Sequence, residues 1–258
     1  MNRYEQTLGL LPDWGPDCVT GLLDTLDSAE RPFPCTFGVA AARRGGLRFG
    51  FVQDSADERT WWPLLDILTE YLKIYQEISR DTSLVVFFGH GERAAEMREY
   101  RARFWRILQF LHDHDEQPWP RDIPRDADHT QWEFSFGGEP MFVVCNTPAH
   151  AARRSRHSEG FLITFQPRWV FEGLAPDSPR GQAARRTIRT RLAAYDAVPA
   201  SPDLGDYGDP ANREWRQYFL ADHDDDEQAE VGQADTGLAE EELGGRQPAR
   251  CPFRHRPE

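Results

Sequence analysis

This chain has no long apolar stretch. Its best runs, residues 84–88 and 141–145, are strand-sized and far short of the ~20 residues a membrane helix needs. No apolar h-region follows the opening Met-Asn-Arg-Tyr-Glu-Gln, so no secretory signal is expected and a cytoplasmic location is. Cysteine is sparse. Cys18, Cys35, Cys145 and Cys251 lie far apart with no CxxC pair, a pattern that predicts free thiols rather than a disulfide framework. Positive charge is in deficit, with 30 Lys and Arg against 43 Asp and Glu and a net charge of −13. Such a balance argues against a nucleic-acid partner, which needs a basic face for phosphates. There is no GxGxxG or P-loop pattern to hold a nucleotide cofactor, and no GxSxG nucleophile elbow.

What is present suits one hydrophobic core. The 258 residues are 39% hydrophobic and 12% aromatic, with eight Trp, enough material for a single domain with appendages. The acidity is concentrated: residues 221–243 hold ten Asp or Glu and no Lys or Arg. We therefore expect an α/β domain over 1–220 and an acidic, disordered linker over 221–250. A Cys-Pro-Phe segment at 251–258 is free to fold back.

Periodicity supplies the elements. Asp17 is placed to cap a helix over 18–26, and 36–44 reads as a short helix ended by Gly45 and Gly46, before a strand at 47–52. Trp61, Leu64, Leu65, Leu68, Leu72, Tyr75 and Ile78 recur at three and four residues, as do Met97, Tyr100, Phe104, Ile107, Leu108 and Leu111. Both stripes predict core-facing helices, with a buried strand at 84–88 between them. Trp132, Phe134 and Phe136 alternate with Glu133 and Ser135, which predicts a strand with one buried face. Gly137-Gly138 is a hairpin signal, followed by strands at 141–145 and 161–166. An Arg-rich helix spans 180–195, and 215–220 is a last docked element. The predicted class is mixed α/β: a central sheet with an antiparallel section, flanked by helices.

Three segments stand apart from this scaffold: Phe33-Pro34-Cys35-Thr36-Phe37-Gly38, the run from Gly137 to His150, and Cys251-Pro252-Phe253. Together with Gln166-Pro167-Arg168-Trp169 they resemble the YqcI/YcgG family, from Phe33 to Phe253. The resemblance implies a haem-dependent N-oxygenase. It would bind haem b, use O2 with an external electron donor such as a reductase or ferredoxin, and act on a nitrogen of a small amine, amino acid or guanidine. A homodimer is compatible with it.

Haem iron needs an axial His, Cys, Met or Tyr donor. With the resemblance in hand, Cys251 is the first choice of ligand, and a flexible linker would let it fold over a cavity. An incidental Cys on a solvated tail is the alternative. His150 is the second choice or a distal catalytic residue, against a plain histidine bonded to backbone. Arg153, Arg154 and Arg156 could pair with the haem propionates or form a solvated basic turn. Cys35 is held as a pocket residue and Cys145 as core. Asn146 and Glu139 are the remaining catalytic candidates, Glu139 doubling as turn chemistry.

Two other readings compete. His112 and His114, with Asp113, Asp115 or His129, could form a non-haem iron site, although residues two apart on a helix face different ways. A non-catalytic haem carrier using the Cys-Pro tail is the other. No CxxCH motif is present, so covalent haem is not expected.

Overall fold

The computed structural model describes residues 3–89, 95–174, 178–205, 209–224 and 251–255. Among these residues five strands form one sheet in the order β1-β2-β5-β4-β3. They are β1 (Leu47–Val52), β2 (Ser83–Phe88), β3 (Phe134–Phe136), β4 (Glu139–Asn146) and β5 (Leu162–Pro167). β1 and β2 are parallel, so the chain must cross over between them. That crossover is a helix, here labelled α3 (Trp62–Ile78), once α1 (Gly15–Asp27) and α2 (Thr36–Arg43) are counted. The β2–β5, β5–β4 and β4–β3 pairs are antiparallel. The mixed α/β class expected from the sequence is the one observed.

The two amphipathic stripes cover one face of the sheet. α3 buries Leu64, Ile67, Leu68, Tyr71 and Tyr75. α4 (Met97–His114) buries Tyr100, Phe104, Ile107, Leu108 and Leu111. Its first turn is closed by the Glu99 carboxylate, which accepts from the Glu96 N–H at 2.8 Å. Against these helices stand Leu84, Val86 and Phe88 of β2, Ile163 and Phe165 of β5, and Met141, Val143 and Cys145 of β4. Gly50 is required here: a Cβ on it would sit 2.6 Å from Ile67 of α3. The β3–β4 hairpin turns on Gly137 and Gly138, with φ of 63° and 78°, which side chains with a Cβ rarely adopt.

On the other face, α1 and α2 cover only the β1–β2 side, through Val19, Leu26, Val39, Phe49, Phe51, Val85 and Phe87. α5 (Pro179–Tyr195) meets α2, leaving space over β4 and β5. α6 (Trp215–Tyr218) lies against β4. The expectation that Asp17 caps α1 is corrected: the helix starts at Gly15 with Trp14 as N-cap, and Pro16 pre-sets its first turn.

The acidic linker expected at 221–250 falls, from 225 on, outside the described residues. Residues 251–255 are described, and they pack on the α4 side of the sheet. Phe253 meets Trp119, Trp132, Phe134 and His112. The Gln109 amide brackets the backbone of Arg254, accepting from its N–H and donating to its carbonyl, both at 2.9 Å. All four cysteines are free. Among the described residues no helix is long and apolar enough to cross a membrane.

Phe253 is 3% exposed, so Phe253→Ala is expected to lower the unfolding free energy by about 3–5 kcal/mol. Urea denaturation measures it, and an unchanged midpoint would show that the terminal segment is not docked.

Candidate functional site

The open side of the sheet is a cavity of about 1120 Å³, at or above the ~300–1,000 Å³ usual for small-molecule sites. Strand alternation decides its floor. Phe142, Val144 and Asn146 of β4 and Leu162, Thr164 and Gln166 of β5 face it, whereas Val143, Cys145, Ile163 and Phe165 face the α3–α4 core. The roof is α2 with the Phe33–Gly38 segment, and α5. The turn 147–157 closes one end, at Asn146. Residues of α6 and the 166–172 segment close the other.

Cys35 sits in the roof. It is the N-cap residue of α2, and its Sγ accepts from the Gly38 N–H at 3.4 Å. Burial raises the thiol's pKa. The Gly38 and Phe37 N–H groups and the nearby Arg156 charge pull the other way. A helix N-terminus and a guanidinium are what a bound thiolate would require.

The 147–157 turn holds most of the other expected residues, though in different roles. His150 is fully buried. Its Nε2–H donates to the Leu220 carbonyl at 2.8 Å, and its Nδ1 accepts from the Thr147 hydroxyl at 2.9 Å. Both nitrogens are therefore occupied, and burial pushes its pKa down to about 4. His150 is a neutral structural clamp rather than a free donor. Arg153 is 1% exposed and gives its donors to the Ala221 carbonyl, the Pro199 carbonyl and Asp224. Arg156 donates to the carbonyls of Gln217 and Tyr218, and burial lowers its pKa to about 10. These two arginines tie the turn to residues 217–224, which leaves Arg154 as the exposed member of the expected set lining the cavity. Asn146 also lines it and donates to the Ser155 carbonyl at 3.3 Å.

Other expected residues lie elsewhere. Cys251 is buried on the opposite side of the sheet, in the α4 core, where burial pushes its thiol up to about 12. Glu139 lines a separate cleft of about 260 Å³ with Tyr75 and Lys73. His112 makes edge-on ring contacts with Trp119 and His255 and a tilted one with Phe253, while His114 Nδ1 bonds the Phe110 carbonyl. His129 accepts from Gln131 N–H. Among the described residues no three His, Cys, Asp or Glu gather at metal-binding geometry.

Two features were missed in the sequence. His157 follows the Arg run directly. Its Nδ1–H donates to the His150 carbonyl at 2.8 Å, which leaves Nε2 with a lone pair at the cavity wall. Glu133 and Glu214 form the other feature. Glu133 reads as the solvent face of an alternating strand, yet it is 4% exposed and Glu214 is 5% exposed. Both line the cavity. Arg168 pairs with Glu133, and Glu214 hydrogen-bonds Glu133. Burial raises both carboxyls, Glu214 well above the usual range. We place the shared proton on Glu214, because Arg168 favours the charged form of Glu133.

The model of the YqcI/YcgG family matches residues 22–231. The chain is 45% identical over 215 residues to YcgG of Bacillus subtilis (strain 168), an uncharacterized protein, covering 82% of this chain and 85% of that one. It is 42% identical to the uncharacterized YqcI of the same strain, with the same coverage. It is 36% identical over 224 residues to a Streptomyces lavendulae protein named "Putative N(omega)-hydroxy-L-arginine synthase DcsA", covering 82% and 81%. No solved structure matches.

The lowered pKa of His150 makes a stability prediction. Between pH 6.5 and 4 the unfolded chain takes up a proton that the folded chain refuses. Stability is therefore expected to fall with acid across that window, by about 3 kcal/mol. Urea titrations at stepped pH measure it. In His150→Gln this part of the slope should vanish, and an identical slope would assign the proton elsewhere.

Proposed function

Because this chain belongs to the YqcI/YcgG family, we propose that it is a haem-dependent oxidoreductase that hydroxylates a nitrogen of a small guanidine or amine. The reaction balances as R–NH2 with O2, two electrons and two protons giving R–NHOH and water, the electrons coming from a separate reductase. The relative named for N(omega)-hydroxy-L-arginine synthesis supports N-hydroxylation and a guanidine-type substrate. The size of the cavity supports the cofactor part of this reading.

The single observation that carries the reading is Cys35: a helix-capping thiol in the wall of a cavity large enough for a porphyrin and a small substrate. Its sulfur is the donor we assign to the iron, with the Gly38 N–H and the Arg156 charge stabilising the thiolate. Cys251 and His150, favoured from the sequence, are placed worse. One lies across the sheet, and the other has both nitrogens bonded. Haem supplies dioxygen activation when bound, and thiolate ligation favours O–O cleavage.

The chain's own groups do the rest. Val85, Phe87, Phe142, Val144 and Leu162 present apolar surface that excludes water from the reacting nitrogen. Arg154 and Arg31, both at the cavity lining and both near Tyr195, supply exposed positive charge for carboxylates such as propionates. His157 offers Nε2 to accept or return a proton at the wall.

Protein made with added haem precursor is expected to show a Soret band and a thiolate-type carbon monoxide difference spectrum. Cys35→Ser should lose the thiolate signature, and Cys251→Ala should keep it. Loss in Cys251→Ala with retention in Cys35→Ser would overturn the ligand assignment. A colourless wild-type protein after reconstitution would overturn the function.

A further inference from the structure

We propose that the Glu133–Glu214 pair, with Gln166 and Ser83 beside it, is the subsite that binds the substrate's cationic guanidinium or ammonium group. This deepens the preceding reading and takes from it only the substrate class.

The placement follows from strand register. Phe134 pairs with Met141 and Pro167 pairs with Met141 on its other side; continued by one residue, these registers set Glu133 opposite Phe142 and Arg168 opposite Pro140, on the two sides of the same end of β4. Tyr218 accepts from the Phe134 N–H and donates to the Met141 carbonyl, both at 3.1 Å. It thereby fixes α6 and Glu214 at that end. Gln166 pairs with Phe142, and the register that sets Leu84 opposite Phe165 puts Ser83 opposite Gln166. All four side chains line the cavity.

One of these groups is a buried polar atom without a partner: Ser83 is 1% exposed and its Oγ has none. Gln166 is 7% exposed and lines the same space. A buried polar atom left unpaired is costly, and Ser83 faces the space that a ligand would fill. A guanidinium, a flat fork of N–H donors, matches two carboxylates and adjacent amide and hydroxyl oxygens.

Charge accounting fits as well. With Glu133 paired to Arg168 and Glu214 protonated, the resting set is neutral. The charged or titratable groups facing Glu214 are Glu133, Arg168 and Tyr218, with Asp122 acting through Glu133. An entering cation favours the carboxylate form of Glu214, so its proton leaves to solvent as the ion pair forms. Below Glu214's raised pKa, affinity for the cation rises with pH, roughly tenfold per unit for one proton released.

Calorimetric titration of L-arginine into the haem-loaded protein, in buffers of differing ionisation enthalpy, tests this directly. We expect arginine binding to release a proton, up to one per arginine, at pH values below the raised pKa of Glu214. L-citrulline, its uncharged analogue, should release none. Glu214→Gln should abolish the release and weaken arginine at least tenfold; the buffer series on the wild-type protein needs no variant to fold. Arginine binding without proton release, unaltered in Glu214→Gln, overturns the proposal, as does failure of an active, haem-loaded protein to bind arginine. A colourless protein that still binds arginine with proton release keeps this subsite and removes only the oxygenase reading.

Discussion

The register of β4 on β5 is the constraint on which the site depends. Val143 opposite Phe165 and Cys145 opposite Ile163 lock one face of the strand pair into the α3–α4 core. The alternate residues, Phe142, Val144, Asn146, Thr164 and Gln166, have no choice but to floor the cavity. A one-residue slip would exchange the two sets and bury Gln166 and Asn146 among aromatic rings. The dense packing behind the sheet is thus what lets the space in front of it stay open without the floor collapsing into it.

The ends of that floor differ in charge. At the Asn146 end, the 147–157 turn carries Arg153, Arg154, Arg156 and His157. At the Met141 end lie Glu133, Glu214 and Arg168. Five residues of extended strand separate them, about 17 Å. Arg153 and Arg156 are buried cations held mainly by backbone carbonyls, so they fasten residues 217–224, and Arg156 also keeps a positive field near Cys35. His150 does similar fastening in neutral form. The clamp residues and the chemistry-bearing residues are therefore neighbours in sequence with separate jobs.

That mixing explains what the sequence could and could not disclose. The helices of the α3–α4 layer, the Gly137-Gly138 hairpin and the buried β2 strand were legible because their signals are local and periodic. The resemblance pointed to the Cys35 and His150 segments, and both reach the cavity or its wall. Roles were not legible. His150 and Arg153 find their partners about 70 residues away, and no local pattern announces a contact of that range. Glu133 was assigned to solvent because Trp132, Phe134 and Phe136 alternate, yet Arg168 and Glu214 close over its other side. Cys251 resembled a ligand by motif, but Phe253 anchors its segment among Trp119, Trp132 and Phe134, across the sheet from the cavity.

The central claim is that the cavity in front of β4 and β5 is the cofactor's seat. Val144 sits in the middle of that floor and faces away from the core, so Val144→Trp fills the space while leaving the packing behind the sheet alone. Haemin titration followed at the Soret band, with thermal unfolding alongside, is the direct measurement. The account predicts one haem per wild-type chain and little or none in Val144→Trp at an unchanged melting temperature. Equal uptake by both proteins would contradict it.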